Sequence, residues 1–165
     1  MVSTLKITVE RTFDYSLVRE VMTHPKVWPH VTDDGSPPKE AFRPIELDSV
    51  SYLLAKDGDE VLGVWVLVPH NTVCYEVHTC MLPSAWGARA REAALIAIQF
   101  VWGCSSCARL VTNVPEYNRL ALRFAKAAGM TEFGRNPRSF LKDGKLWDQI
   151  MLGISKGESE PCQQQ

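Results

Sequence analysis

Long apolar runs are missing from this chain: none approaches the roughly 20 residues that a membrane-spanning helix requires. An excess of either charge is missing too. Lys plus Arg total 18 against 19 Asp plus Glu, and a net charge of -1 offers no general attraction to nucleic acid or anionic lipid, so any phosphate binding must be local. A disulfide framework is not expected. The five cysteines are an odd count, and residues 1–10 alternate too much and are too polar for a secretion signal, so reduced thiols and a cytoplasmic location are expected. Cys104 and Cys107 form a CxxC, yet no second CxxC or His pair completes a zinc set, and the pair follows a helix instead of opening one as a redox motif does. No metal site and no membrane or nucleic-acid partner is expected, and internal repeats are absent.

What is present is enough apolar residue, 45% of 165, for one well-buried core but too short a chain for two, so residues 1–155 are expected to form a single domain and the polar residues 156–165 a disordered tail. Residues 6–10 alternate like an opening strand. Asp14 caps a short helix running to Met22, which cannot pass His24-Pro25. Five prolines and Asp33-Asp34-Gly35 make residues 25–44 a long loop with one helical turn near 38–42, and a loop of that length is usually functional. The Asp57-Gly58-Asp59 turn joins two strands, the second of which, through Val64-Trp65-Val66-Leu67-Val68, is apolar enough to be buried on both faces.

The most informative stretch is 75–130. It reads as a strand, a tight turn at Gly87, an apolar helix, a second strand over 110–114, and a helix opened by Asn118 and stopped by Gly129. The wholly apolar Ala93–Ile98 segment predicts a helix sandwiched between the sheet and another element. A strand-helix-strand unit implies a parallel pair, which leaves loop amides and a helix N-terminus at one end of the sheet, where an anion can sit. Asp143-Gly144 then marks a final hairpin. Cys74, Glu76, His78 and Cys80 share one strand face, where each of Cys74 and Cys80 is either a thiol nucleophile or, more commonly, a packed cysteine.

Over residues 5–155, and most specifically over 75–154, this arrangement resembles the GNAT N-acetyltransferase superfamily. The residues that carry the resemblance are His78-Thr79-Cys80-Met81-Leu82-Pro83 leading into Trp86-Gly87-Ala88-Arg89-Ala90, then Asn118 with Ala121, Lys126 and Gly129-Met130, then the Asp143-Gly144 hairpin. The resemblance implies an α/β (α+β) fold: a mixed, mostly antiparallel central sheet with a parallel strand pair at the cofactor cleft and helices on both faces. It implies acetyl-coenzyme A as co-substrate and transfer of an acetyl group to an amine of a small molecule or protein. By position, Met81 and Leu82 would contact the pantetheine arm, Gly87, Ala88, Arg89 and Ala90 the pyrophosphate, and Asn118 would line the same site while capping its helix.

Within that resemblance Glu76 and His78 are the candidate bases for deprotonating the amine, directly or through a water. Read without it, they are an ion-paired strand carboxylate and a hydrogen-bonded histidine. The sequence departs from the family at three places. Trp86 stands where a basic residue is usual, with Arg89 and Arg91 at small-residue positions. Ala125 replaces the tyrosine general acid, for which Tyr117 is the substitute. Gly129-Met130 replaces Gly-Phe. A second resemblance, of His24-Pro25, Trp28-Pro29 and Asp33-Asp34-Gly35, is to phage-encoded GNAT-like proteins, some of them head-assembly or virion-associated. It implies, as the alternative, a catalytically degenerate structural or interaction protein in the virion or host cytoplasm. The 25–44 loop is expected to form part of an acceptor site, and Trp28 or Trp147, if exposed, would mark a homodimer interface.

Overall fold

The structure, a computed structural model, describes residues 6–158. Seven strands form one sheet in the order β1-β2-β3-β4-β5-β7-β6. They are β1 (Ile7–Thr12), β2 (Ser51–Asp57), β3 (Glu60–Pro69), β4 (Cys74–Met81), β5 (Arg109–Pro115), β6 (Thr131–Lys142) and β7 (Lys145–Ser155). Four helices accompany them: α1 (Tyr15–Met22), α2 (Trp28–Val31), α3 (Ala88–Cys104) and α4 (Arg119–Ala127). Every neighbouring pair is antiparallel except β4 and β5. This is the mixed sheet expected from the strand-helix-strand unit.

Two cores hold the layers together, one on each sheet face. On the first, Val18 and Val21 of α1 pack against Tyr52, Leu54, Val64, Val66 and Cys80. On the second, α3 and α4 cover Leu53, Leu62, Trp65, Val77, Leu110 and Leu152. Every residue of β3 from Leu62 to Leu67 is buried: from Val64 on, even positions face the first core and odd ones the second, and the register shift opposite Ala55 and Lys56 turns Leu62 to the second core as well. The α1 start is fixed by Asp14, whose carboxylate accepts from the Leu17 N–H at 3.0 Å. The β6–β7 turn places Asp143 and Gly144 at φ 52° and 71°, a conformation that this dipeptide tolerates and most others resist.

Two expectations need correction. The 25–44 loop contains a second helix, α2, which starts at Trp28-Pro29 because proline suits the first turn of a helix. Helix α3 is not sandwiched: Leu95 on its outer face is 41% exposed, so its apolar middle reflects short alanines on the sheet side plus an open outer stripe. Beyond β7 the described residues continue to Glu158. Lys156 donates from its backbone to Ala108 O at 2.8 Å and from Nζ to Trp102 O at 3.0 Å, while residues 159–165 lie outside those described.

The feature that creates a site is a seam in the sheet. β4 and β5 are paired over only three positions, Cys74↔Arg109, Tyr75↔Leu110 and Glu76↔Val111. Beyond Glu76 the two strands part, β4 staying with β3 and β5 with β7.

Candidate functional site

The seam exposes backbone as well as side chains. Leu82 N–H bonds Leu62 O at 2.8 Å, and bonded pairs alternate along an antiparallel ladder, so Cys80, His78 and Glu76 turn their backbone groups toward β3. Thr79 and Met81 therefore turn theirs toward the gap. Leu82, expected to face a bound chain, has its N–H taken by Leu62, and its carbonyl accepts from Ala85 N–H at 2.9 Å. Period-two counting from Met81 would have found Thr79.

Two cavities meet at this gap. The larger, about 410 Å³, runs from the α1 face through the seam and touches Glu76, His78, Thr79, Asn113, Asn118, Phe42, Phe140 and Gln149. The smaller, about 380 Å³, lies between the start of α3 and the face of α4 and touches Met81, Trp86, Gly87, Ala88, Ala90 and Asn118. They share His30, Val31, Thr79, Asn118, Ala121 and Phe124, so they form one continuous cleft.

The smaller cavity suits an anion. Its charged lining residues are Lys26, Arg91 and Arg123, with no carboxylate among them. Gly87 caps α3 at φ 98°, a left-handed conformation open to glycine, and a Cβ there would meet nothing within 4 Å, so the approach to the helix end is clear. The first α3 amide bonded inside the helix is Arg91 N–H to Gly87 O at 3.1 Å, which leaves the N–H groups of Ala88, Arg89 and Ala90 aimed outward with the positive end of a 17-residue helix dipole.

Side chains around it tell a more mixed story. The Arg89 guanidinium is turned out of the cavity and held by Glu60 Oε2 at 2.6 Å and Asp57 Oδ2 at 3.1 Å, so of Arg89 only the backbone remains for an anion. Arg91 stays in the lining although its Nε bonds Ala127 O at 3.1 Å. Trp86, 42% exposed, donates its indole N–H to Met81 O at 2.9 Å and so occupies a carbonyl that faces the gap. On α4, Arg123 lines the cavity while Lys126 pairs with Glu132 at 3.9 Å.

On the other side of the seam, Glu76 is the hub of a polar cluster. One carboxylate oxygen meets His70 Nε2 at 2.9 Å, and the other accepts from Asn113 Nδ2 at 3.1 Å and lies 3.6 Å from His78 Nε2. Its side chain is 19% exposed. Burial by itself would raise the Glu76 pKa, but the bonds from His70 and Asn113 and the nearby histidine charges outweigh it and hold the carboxyl below its ordinary value. His78 shifts down. Its side chain is 48% exposed and lines the larger cavity, and desolvation by the surrounding walls, with the charge of His70, outweighs the pull of Glu76. It is therefore neutral at pH 7 and able to accept a proton.

Cys80 is a packed cysteine. It is 1% exposed, and burial pushes its thiol up to about 12, which removes it as a nucleophile. Tyr117 stands outside both cavities. Its ring packs edge-on to Trp147 at 4.9 Å and tilts against Phe140 at 6.4 Å, and burial followed by the charges of Asp143, Asp34 and Asp33 raises its pKa. Ala125 is buried in the core. Trp28 is half-buried against Phe42, and Trp147 lies between Tyr117 and Lys145, so neither is left open as an interface mark. Among the described residues no group of three or more His, Cys, Asp or Glu is placed to hold a metal ion. No helix among them is long and apolar enough to cross a membrane.

His70 and Asn113 are members of the cluster that the sequence does not announce, since they reach Glu76 from the β3–β4 turn and from β5. The 25–44 loop does close over the cleft. Asp34 accepts from Asp143 N–H at 2.9 Å and Gly144 N–H at 2.8 Å, and Lys142 Nζ donates to Thr32 O at 2.9 Å, which clamps the loop to the β6–β7 turn. Those backbone donors lower the Asp34 pKa.

A seven-stranded sheet split after a parallel β4–β5 contact, with helices on both faces and a cleft entering at the split, is the fold of the GNAT N-acetyltransferases. The spermidine N-acetyltransferase from Vibrio cholerae, solved in complex with CoA and spermine, superposes with a TM-score of 0.75 at 14% identity, over 92% of this chain and 96% of that one. A GNAT-family protein from Chromobacterium violaceum ATCC 12472 superposes with a TM-score of 0.72 at 14% identity, over 92% of this chain and 84% of that one. At these identities the likeness is one of fold. No family profile and no curated protein sequence matches the chain.

Proposed function

We propose that this protein transfers an acetyl group from acetyl-coenzyme A to a primary amine. The observation that carries the reading is the junction of the two cavities at Thr79 and Asn118, which joins a cavity lined by basic side chains and free helix amides to one holding a carboxylate-histidine pair. In that reading the amides of Ala88, Arg89 and Ala90, with Arg91, Arg123 and Lys26, hold the diphosphate. The gap-facing groups of Thr79 and Met81 bond the pantetheine amides, and Asn118 lines the passage between the two cavities.

His78 is the base. With its proton on Nε2, drawn toward Glu76, its lone pair is on Nδ1, ready to take a proton from the incoming ammonium. Glu76 is a positioning residue, fixed by His70 and Asn113 and stabilising the imidazolium that forms. Acetyl-coenzyme A supplies the activated acyl group: the amine lone pair forms the C–N bond, the C–S bond breaks, and the departing thiolate takes up a proton. Ala125 stands where the family's tyrosine would deliver that proton, so the second proton, shed by the nitrogen as the C–N bond forms, passes to the thiolate through water in the cleft.

Calorimetry with acetyl-coenzyme A, followed by thiol release in the presence of amines, tests the reading. Absence of binding at millimolar ligand sinks it. His78→Ala is expected to lower turnover on the order of a hundredfold, the usual worth of a positioned base. A second reading, a GNAT-fold protein without turnover, draws on Trp86 occupying Met81 O and on the buried Ala125. Coenzyme A binding without transfer to any amine establishes it. The phage-assembly form of that reading rests on sequence resemblance alone.

A further inference from the structure

The acceptor side of the cleft has an unusual charge pattern. Among the described residues lining the larger cavity, Glu76 is the sole carboxylate, and both its oxygens already have partners in His70 and Asn113. The other titratable groups lining the cavity are His30, Tyr52, His78 and Cys80, none of which supplies a negative charge for a second cation. Much of the wall is apolar: Phe42, Ile45, Tyr52, Val66, Val68 and Phe140. Tyr52 contributes only its ring, because its hydroxyl is bonded to Ile45 N at 2.8 Å and Ile45 O at 3.1 Å.

This wall is built, not incidental. Phe42 is held edge-on by Trp28 at 5.2 Å, and its carbonyl accepts from Arg19 Nε at 3.0 Å. The same Arg19 donates to Lys39 O and Glu40 O, so one guanidinium from α1 fixes the turn that delivers Phe42 to the cleft. The Asp34 clamp holds the other end of the loop.

Building on the acetyl-transfer reading, we infer that the amine taken by this cavity is a monoamine with a single apolar, aromatic-sized body, an arylalkylamine, and not a polyamine. One ammonium reaches the Glu76–His78 pair, and the body lies against Phe42, Phe140 and the valines of β3. A polyamine would place a second ammonium among Phe42, Ile45 and Phe140 without a counter-ion, and an unpaired charge in such surroundings is disfavoured far more than an apolar body is favoured. An aromatic body gains the opposite way, from area removed from water and from ring-edge contacts with the two phenylalanines. The volume, about 410 Å³ including the seam, is in the range of small-molecule sites.

The test titrates the full chain with 2-phenylethylamine and with spermidine by calorimetry, with and without coenzyme A, and measures thiol release from acetyl-coenzyme A with each. The expected result is at least a hundredfold preference for 2-phenylethylamine in kcat/KM. Its affinity should fall in the order wild type, Phe42→Leu, Phe42→Ala, by about tenfold overall, with thermal melts confirming that both variants fold. Equal or better use of spermidine overturns the inference, as does failure of 2-phenylethylamine to bind under either condition. If 2-phenylethylamine binds with that Phe42 dependence but no thiol is released, the inferred ligand class stands and the acetyl-transfer reading falls.

Discussion

Replacing Trp86 by phenylalanine should tighten coenzyme A binding. The indole N–H donates to Met81 O at 2.9 Å, and that carbonyl is one of the few backbone acceptors turned to the gap between β4 and β5. A ligand amide that bonds Met81 O must first displace the indole. An intramolecular hydrogen bond is worth about 0.5–1.5 kcal/mol net over its exchange with water, so removing the competing donor should improve affinity by about two- to twelvefold. Phenylalanine keeps an apolar ring over the mouth of the smaller cavity and lacks the donor. Because Trp86 is 42% exposed, water can reach the carbonyl in the variant, and its stability should change by less than about 1 kcal/mol. Calorimetry of wild type and Trp86→Phe with coenzyme A measures the difference directly. Unchanged or weaker binding in the variant would show that the indole is a ligand contact and not a competitor, and would refute the reasoning.

Other consequences can be checked alongside. The depressed His78 and Glu76 pKa values mean that the unfolded chain binds protons more readily than the folded one, so stability should be fully present above pH 6.5 and fall as pH drops through the histidine and then the carboxylate range, as read by urea melts across pH. Transfer activity should likewise be flat near pH 7 and lost at acid pH as His78 is protonated. Asp34→Ala should release the loop from the β6–β7 turn, raising the rate of proteolysis within residues 33–38 and the KM for the amine. Leu62→Ala, at a fully buried position in the core under α3, should cost about 2–5 kcal/mol in thermal or denaturant unfolding. In peptide mapping after thiol labelling of the native protein, exposed Cys104 should react quickly and Cys80 only on unfolding.

The fold was legible because its signals are local. Asp14, Asn118, the Asp57-Gly58 turn and Asp143-Gly144 each fix an element boundary through a cap or a turn conformation that neighbouring residues do not influence. The Glu76–His78 pair was legible because two residues on one strand must share a face. What escaped depends on tertiary placement. His70 and Asn113 come to Glu76 from different segments, and no spacing rule connects them. The diversion of Arg89 to Asp57 and Glu60 needs the β2–β3 turn beside the α3 terminus, a contact across 29 to 32 residues. Thr79 is not announced by its position either: backbone groups on a strand edge alternate, so the residue that shares the gap side with Met81 is two places before it. Helix α2 was obscured by prolines that break a helix inside but suit its first turn.

The three-rung contact between β4 and β5 has a mechanical meaning as well as a chemical one. It divides the molecule into two stiff plates, β1–β4 and β5-β7-β6, stitched at one end and bridged elsewhere by side-chain packing against α3 and α4. An extended molecule with amides along its length, lying between Thr79 or Met81 and the parted strand, would supply the missing stitches and behave as a strand borrowed from solution. Occupancy would then be felt by the whole sheet, so hydrogen exchange at the far rungs of β3 and β7 should slow when the gap is filled.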